Sequence, residues 1–300
     1  HMPAGMFLRS ACDWHLDPAG IHTIEAFAAN RGQTPADVEP LSLDFYLDYT
    51  RWFREQKGLK IEPVFVERLD RAGDGFRAQM ENGETIAAAN VVLALGFANF
   101  AHIPAGLASL LPAGRYAHSK DLVDFVPLAG QRLLIVGGRQ SAFESAALLR
   151  EAGAAHVHLC YRHPTPRFEP SDWGRANRIV AGLVDNPTWF RDLSDEEKAD
   201  INHWFWTEGR LKLEPWLWPR LDHSEISLWP ESQLAGCVAC ADDSLAITLD
   251  SGAGFAVDQV LFATGYQVEM ERVPLLAAGN LLAELATVNG SPCLDEYMQT

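Results

Sequence analysis

Apolar positions recur at helical spacing in LSLDFYLDYTRWFREQKG (41–58). Leu43, Tyr46, Leu47, Tyr49, Trp52 and Phe53 fall mostly on one side, which predicts a helix, with Ser42 as its N-cap and Gly58 as its stop. The pattern then changes to strands. VFVERL (64–69) alternates, FRAQM (76–80) returns after the turn RAGDG, and VVLALGF (91–97) has the unbroken apolar character of a buried strand. In RLLIVGGRQSAFESAALLREAG (132–153) an apolar run enters a glycine turn and leaves as a helix starting about Ser141, and HVHLCY (156–161) is the next strand. The segment 164–232, rich in Trp and Pro, breaks this rhythm. Strands resume with LAGCVACA, LAITLD and VDQVLFATGY, and a helix is predicted around LLAAGNLLAEL (275–285).

One internal similarity organises these pieces. FRAQMENGETIAAANVVLALGF (76–97) lies over LAITLDSGAGFAVDQVLFATGY (245–266) without a gap, so that Gly83 matches Gly252 and Gly96 matches Gly265. Two copies of strand, tight turn, strand and buried strand imply two related domains. The second copy has a glycine turn upstream at Gly137. No counterpart stands before the first copy, so that domain is expected to lack its leading strand–turn–helix.

The turn at 137–142 carries candidate chemistry. In the dinucleotide pattern G-x-G-x-x-G/A its positions read Gly137, Arg139 and Ala142. Gly137 permits the tight turn, and the small Ala142 lets helix and strand approach. Arg139 stands where a glycine would let backbone close on a pyrophosphate; it either grips a phosphate or fills the seat. The helix N-terminus still offers unpaired amides and partial positive charge. Where an acid would bind the ribose of NAD, the end of the second strand has Arg162 and His163, which favours the 2′-phosphate of NADP. A strand–turn–helix without a ligand stays open as the plain alternative. GDGFRA (73–78) fits the same pattern but is read as a hairpin turn, because no helix follows it.

Composition narrows the classes. The 300 residues carry 40 acidic against 24 basic side chains, a net charge of −16, and no basic stripe, so no nucleic-acid partner is expected. No apolar run reaches a membrane span and no secretory core opens the chain, so a cytoplasmic protein is expected. The first residue is His, and the chain is expected to be a piece of something longer. Five scattered cysteines suggest no disulfide framework. Cys237 and Cys240 form a CxxC that would suit a disulfide reductase, but in a strand-like run they read as structural. The aromatic block 203–230 either lines a pocket or packs on the core, with packing favoured. In the acidic run 192–200, Ser194 and Glu197 fit a capping box. The histidines show no metal spacing, and no metal is expected.

The HMPAGM opening, the His118–Ser119 pair, VGGRQSAFESA and LFATGY together resemble the two-dinucleotide-domain flavoprotein monooxygenases, among them flavin-containing and N-hydroxylating enzymes. The resemblance implies an α/β fold: a three-layer Rossmann-like NAD(P)-binding domain at 127–268, with the excursion 164–232, inserted in an incomplete, related FAD-binding domain made of 1–126 and 269–300. It implies FAD and NADP as cofactors and a small-molecule substrate; a homodimer stays open. Gly137, Gly138, Arg139, Gln140, Ser141, Arg162, His118, Ser119, Thr264 and Gly265 would lie on the NADP side. Met2, Pro3, Met6, Leu95 and Gly96 would lie on the FAD side. Nicotinamide would supply hydride to flavin, and oxygen would pass to a nucleophilic nitrogen or sulfur or to a ketone; no catalytic side chain is assigned. A flavin- and NADPH-dependent monooxygenase-like oxidoreductase is therefore expected. A non-catalytic nucleotide-binding or scaffolding module on the same fold is the second reading, and a reductase using Cys237 and Cys240 the third.

Overall fold

The computed structural model describes residues 2–172, 174–186, 188–295 and 299–300. In chain order the elements that position the site are helix α1 (Leu43–Gln56), strands β1 (Val66–Ala72), β2 (Gly75–Met80), β3 (Thr85–Ala88), β4 (Tyr116–His118) and β5 (Arg132–Val136), and helix α2 (Gln140–Glu151). There follow β6 (His156–Cys160), helix α3 (Asp195–Arg210), β7 (Ile226–Trp229), β8 (Leu234–Ala239), β9 (Leu245–Leu249), β10 (Gly254–Val257) and β11 (Gln259–Phe262). Contacts divide the chain into one unit of His1–Lys60, Ile103–Ala181 and Leu193–Thr264, and another of Ile61–His102, Gly182–Asp192 and Gly265–Thr300.

The first unit is built on a five-stranded sheet in the order β4-β11-β5-β6-β7, with every neighbouring pair parallel. Alternation along β5 explains its position. Leu133 and Ile135 face a cluster with Phe143, Ala146, Ala147 and Leu149 of α2, whereas Leu134 and Val136 face Leu245, Ile247 and Leu249 of β9. A strand apolar on both faces needs cover on both, and it has helix on one side and the antiparallel sheet β8-β9-β10 on the other. The fold is thus α/β with three layers, as expected. Helix α1 starts where Ser42 accepts the Phe45 amide and stops before Gly58, and it buries Tyr49 against Ile24, Phe27 and Leu41.

The excursion differs from its reading as a break in the pattern. It contains β7, the fifth strand of the main sheet, because ISLW pairs along β6. Trp216 packs on the α2 side of the core and Trp229 on the β9 side, which answers the aromatic block largely in favour of packing. The Ser194–Glu197 capping box forms at the start of α3.

In the second unit β1, β2 and β3 form an antiparallel meander, and Ala72 pairs with Gly75, so GDGFRA is a hairpin turn. Two expectations are corrected there. Residues 91–95 are not a buried strand; they have no ladder partners, and Val92 is 89% exposed. The repeat explains this: the matching β11 is flanked by β4 and β5, whereas among the described residues no strand flanks 91–95. A strand without neighbours has neither ladder nor cover. The helix predicted at 275–285 is broken: it runs from Pro274 to Ala277, and a single turn follows at Leu281–Ala283. At Gly279 the chain comes so close to β1 that a Cβ would overlap the Leu69 carbonyl, and Asn280 bonds the Arg71 amide at 2.8 Å. Among the described residues no helix is long and apolar enough to cross a membrane.

Candidate functional site

The parallel sheet has a reversal in strand order. From β5 the chain proceeds through α2 to β6 and β7 on one side, and it later returns as β11 on the other. In parallel sheets of this kind ligands bind beside the carboxyl ends of the strands at which the strand order reverses, and here those strands are β5 and β11. Register sets Val136, Phe262 and His118 side by side. The turn 137–139, Ala263–Thr264 and His118–Ser119 therefore share one edge. Gly265 belongs to the second unit, where its carbonyl accepts from His102 N–H at 3.0 Å.

Both glycines of the turn are required by the protein's own packing. A Cβ on Gly137 would overlap the Ala263 carbonyl oxygen and lie 2.9 Å from its carbon. A Cβ on Gly138 would lie 2.5 Å from Tyr161 Cβ and 2.5 Å from His163 Nε2. Real Cβ atoms do not approach so closely, so these positions hold β5 against its neighbours on either side. Arg139 comes next, and it is the N-cap of α2 with φ −115° and ψ 179°, an extended geometry any residue adopts. The helix starts at Gln140, one residue earlier than expected.

The side chains around the turn are arranged as follows. The Arg139 guanidinium lies 4.7 Å from the centre of the Trp206 ring on α3. Gln140 Oε1 accepts the Glu214 amide at 3.3 Å, and Gln140 Nε2 is buried with no hydrogen-bond partner among the described residues. Ser141 is exposed and Ala142 fully buried against the sheet. Arg162 is exposed two residues past β6, and His163 Nδ1 lies 2.7 Å from the Pro164 carbonyl. His118 is buried and its Nδ1 accepts the Lys120 amide at 3.1 Å, which assigns the ring proton to Nε2. The Ser119 amide donates to the Phe262 carbonyl at 2.9 Å.

The flavin-side positions fall in different units. Met2 is exposed, Pro3 buried, and Met6 half-buried against the α2 core of the first unit. Leu95 joins the core of the second unit, and Gly96 is exposed beside it. The loop carrying Met6 is tied down by a residue the sequence reading passed over. Glu144, 1% exposed on α2, accepts the Phe7 amide at 2.7 Å and lies 3.9 Å from Arg220. Burial pushes its carboxyl from an ordinary 4.5 up to about 7, outweighing the Phe7 amide and the Arg220 charge. A carboxylate between Phe143 and Ala146, on the face that must meet the sheet, was the available signal. Arg9 extends this anchoring to Glu214 at 3.0 Å and Ser171 at 2.9 Å.

Cys237 and Cys240 are free thiols. Cys237 sits within β8 and Cys240 just beyond its end, and burial raises the Cys237 thiol, against what a reactive thiolate needs. His156 and His158 are adjacent on β6, with ring centres 4.5 Å apart. Trp229 donates to His158 Nδ1 at 3.2 Å, and burial lowers His158 to about 4. Among the described residues no cluster of three or more metal-ligating side chains forms.

A family model described as pyridine nucleotide-disulphide oxidoreductase matches residues 12–176, more than half of the chain. A FAD-dependent urate hydroxylase of Xanthomonas campestris pv. campestris is 32% identical over 132 residues, which is 42% of this chain and 28% of that relative. The match thus spans little more than a quarter of the curated relative. Among solved structures, the fold is similar to an ornithine N-hydroxylase from Kutzneria sp. 744, with TM-score 0.69, 18% identity, and 97% and 75% of the two chains covered. It is also similar to a flavin monooxygenase from Stenotrophomonas maltophilia, with TM-score 0.63, 20% identity, and 98% and 73% covered.

Proposed function

The chain belongs to the pyridine nucleotide-disulphide oxidoreductase family, and from that premise we propose that it serves a flavin-dependent, NADPH-using oxidoreductase of the monooxygenase type. The observation that carries this reading is the N-terminus of α2 opening at the sheet's reversal point, with Arg162 where NAD-selective sites place an acid. The residues fit a phosphorylated nicotinamide nucleotide. The Gln140 and Ser141 amides at the start of α2 would hold the diphosphate, Arg162 would pair with the 2′-phosphate, and Thr264, just past β11, would lie beside them. On this reading 127–268 forms the nucleotide-binding domain.

When bound, the nicotinamide supplies hydride and the flavin the oxygen chemistry named for the relatives. The described residues form one strand–glycine turn–helix, and it is given to the nicotinamide nucleotide. They do not make a second diphosphate seat for FAD. What the chain does is bind, orient and enclose. Glu144 and Arg9 hold the Met6–Arg9 loop, and the start of α2 would hold the phosphates. We infer a small-molecule substrate and a cytoplasmic location.

Calorimetric titration with NADPH and NADH tests it. NADPH binds more tightly than NADH, and Arg162→Ala removes roughly 10- to 100-fold of NADPH affinity, the effect of a lost charge-assisted contact, while leaving NADH nearly unchanged. Heat-silent titrations with both nucleotides, together with unchanged melting curves, would sink the proposal.

A further inference from the structure

We propose that segment 91–95 is a self-association surface, through which two copies of this chain pair by backbone hydrogen bonds between the same segment of each; this does not depend on the nucleotide-binding reading above. Three observations lead there. First, the backbone of 91–95 has nothing to bond to within its own unit. Among the described residues its amides and carbonyls belong to no ladder and make no hydrogen bond. Water can satisfy such groups, but the side chains beside them are not those of a solvated loop. Val91, Val92, Leu93 and Ala94 are all exposed, whereas Leu95 joins the core of the unit and fixes the segment to it. A run of free N–H and C=O groups among exposed apolar side chains is a template for another strand.

Second, the internal repeat shows what kind of partner such a segment takes. Its match in the other copy of the repeat, β11, is flanked by β4 and β5 and bonds to both along its length. The partner called for is therefore a backbone edge, not a helix face or a small ligand.

Third, charge selects whose edge it is. Two copies of a chain with net charge −16 repel each other over most of their surface. Between Glu84 and Arg115, however, no Asp, Glu, Lys or Arg occurs. Edges that must stay unpaired carry charged gatekeepers or proline, and 86–97 has neither. Here two copies can approach without like charges meeting, and a charged partner finds nothing to pair with. Antiparallel pairing about Leu93 sets Val92 of one copy beside Ala94 of the other. Ile86 and Phe97, both exposed, extend the apolar surface. Five paired residues are fewer than a lasting interface uses, so the pairing is reversible.

The test uses the full chain in sedimentation equilibrium across a concentration series, with hydrogen exchange on the same samples and folding checked by melting curves. Mass rises from one copy towards two with concentration, and the 91–95 amides exchange several-fold more slowly in the associated sample. Val92→Lys, at a side chain 89% exposed, weakens association by roughly 10-fold or more, because it places a charge in an uncharged contact. Val126→Lys makes the same charge change at a valine 74% exposed in the first unit, and it associates as the wild type does. Single-copy mass throughout the series overturns the inference. So does association that Val92→Lys leaves intact, that Val126→Lys weakens equally, or that leaves the 91–95 amides exchanging as in the single copy.

Discussion

Replacing Glu144 by Gln probes the buried carboxylate that ties the Met6–Arg9 loop to α2. Gln keeps the shape and the acceptor for the Phe7 amide and removes the titration. In the folded protein burial raises the carboxyl from 4.5 to about 7. Between those values the folded state holds a proton that the unfolded state has released. Unfolding free energy therefore falls as pH rises across this window: the contribution is fully present below about 4.5 and lost above about 7. A gap from 4.5 to 7, at about 1.36 kcal/mol per pH unit, amounts to roughly 3 kcal/mol at most. Arg220, 3.9 Å away, is already included in that balance. Urea unfolding of both proteins from pH 5 to pH 8, followed by tryptophan emission, isolates the effect, because every other titration cancels in the difference. Relative to wild type, Glu144→Gln gains stability steadily towards pH 8, by up to roughly 3 kcal/mol. A pH-independent difference, or one that grows towards pH 5, would refute the reasoning.

Two further outcomes follow from the packing. Gly138→Ala places a methyl group 2.5 Å from Tyr161 Cβ and His163 Nε2; it costs about 1–3 kcal/mol and weakens NADPH binding, as read by denaturant midpoint and calorimetry. A wild-type midpoint would show that the β5–β6 approach is slack. Asp17 accepts the Ala19, Ile21 and His22 amides and the Lys57 ammonium at 2.8 Å, which hold its carboxyl well below the usual range, the Lys57 pair first. Its stabilisation is present above about pH 4 and lost as pH falls further, so Asp17→Asn lowers the neutral-pH midpoint and flattens the acid limb of a pH-melt series. An acid limb identical to wild type would count against the ion pair.

Much of the candidate site was legible because its requirements are local. The run Leu133–Val136, the two glycines and the small Ala142 lie within ten residues, and steric need in a strand–turn–helix links them directly. Arg162 was legible for the same reason, since the end of the next strand follows at a short, fixed distance. Ser42, Ser194 and Glu197 were readable as caps because capping is a contact within one turn. What was misread depends on distant partners. Val91–Leu95 has the composition of a buried strand, yet burial is conferred by flanking strands. ISLW looked like part of an aromatic excursion until β6 supplied its ladder. The helix read at 275–285 stops at Ala277, and at Gly279 the chain lies too close to β1 for a Cβ.

The sequence by itself determined the parallel-sheet core, the glycine turn and the basic end of the second strand, because apolar periodicity and turn sterics act between residues close along the chain. Only the tertiary structure decided where the Arg139 side chain rests, that Glu144 is sealed from water, and which apolar segments find cover. Each of those outcomes depends on residues brought together from far apart: Trp206 lies 67 positions from Arg139 and Phe7 lies 137 from Glu144. No local pattern specifies such a meeting; it arises when the sheet closes and sets a neighbour in place.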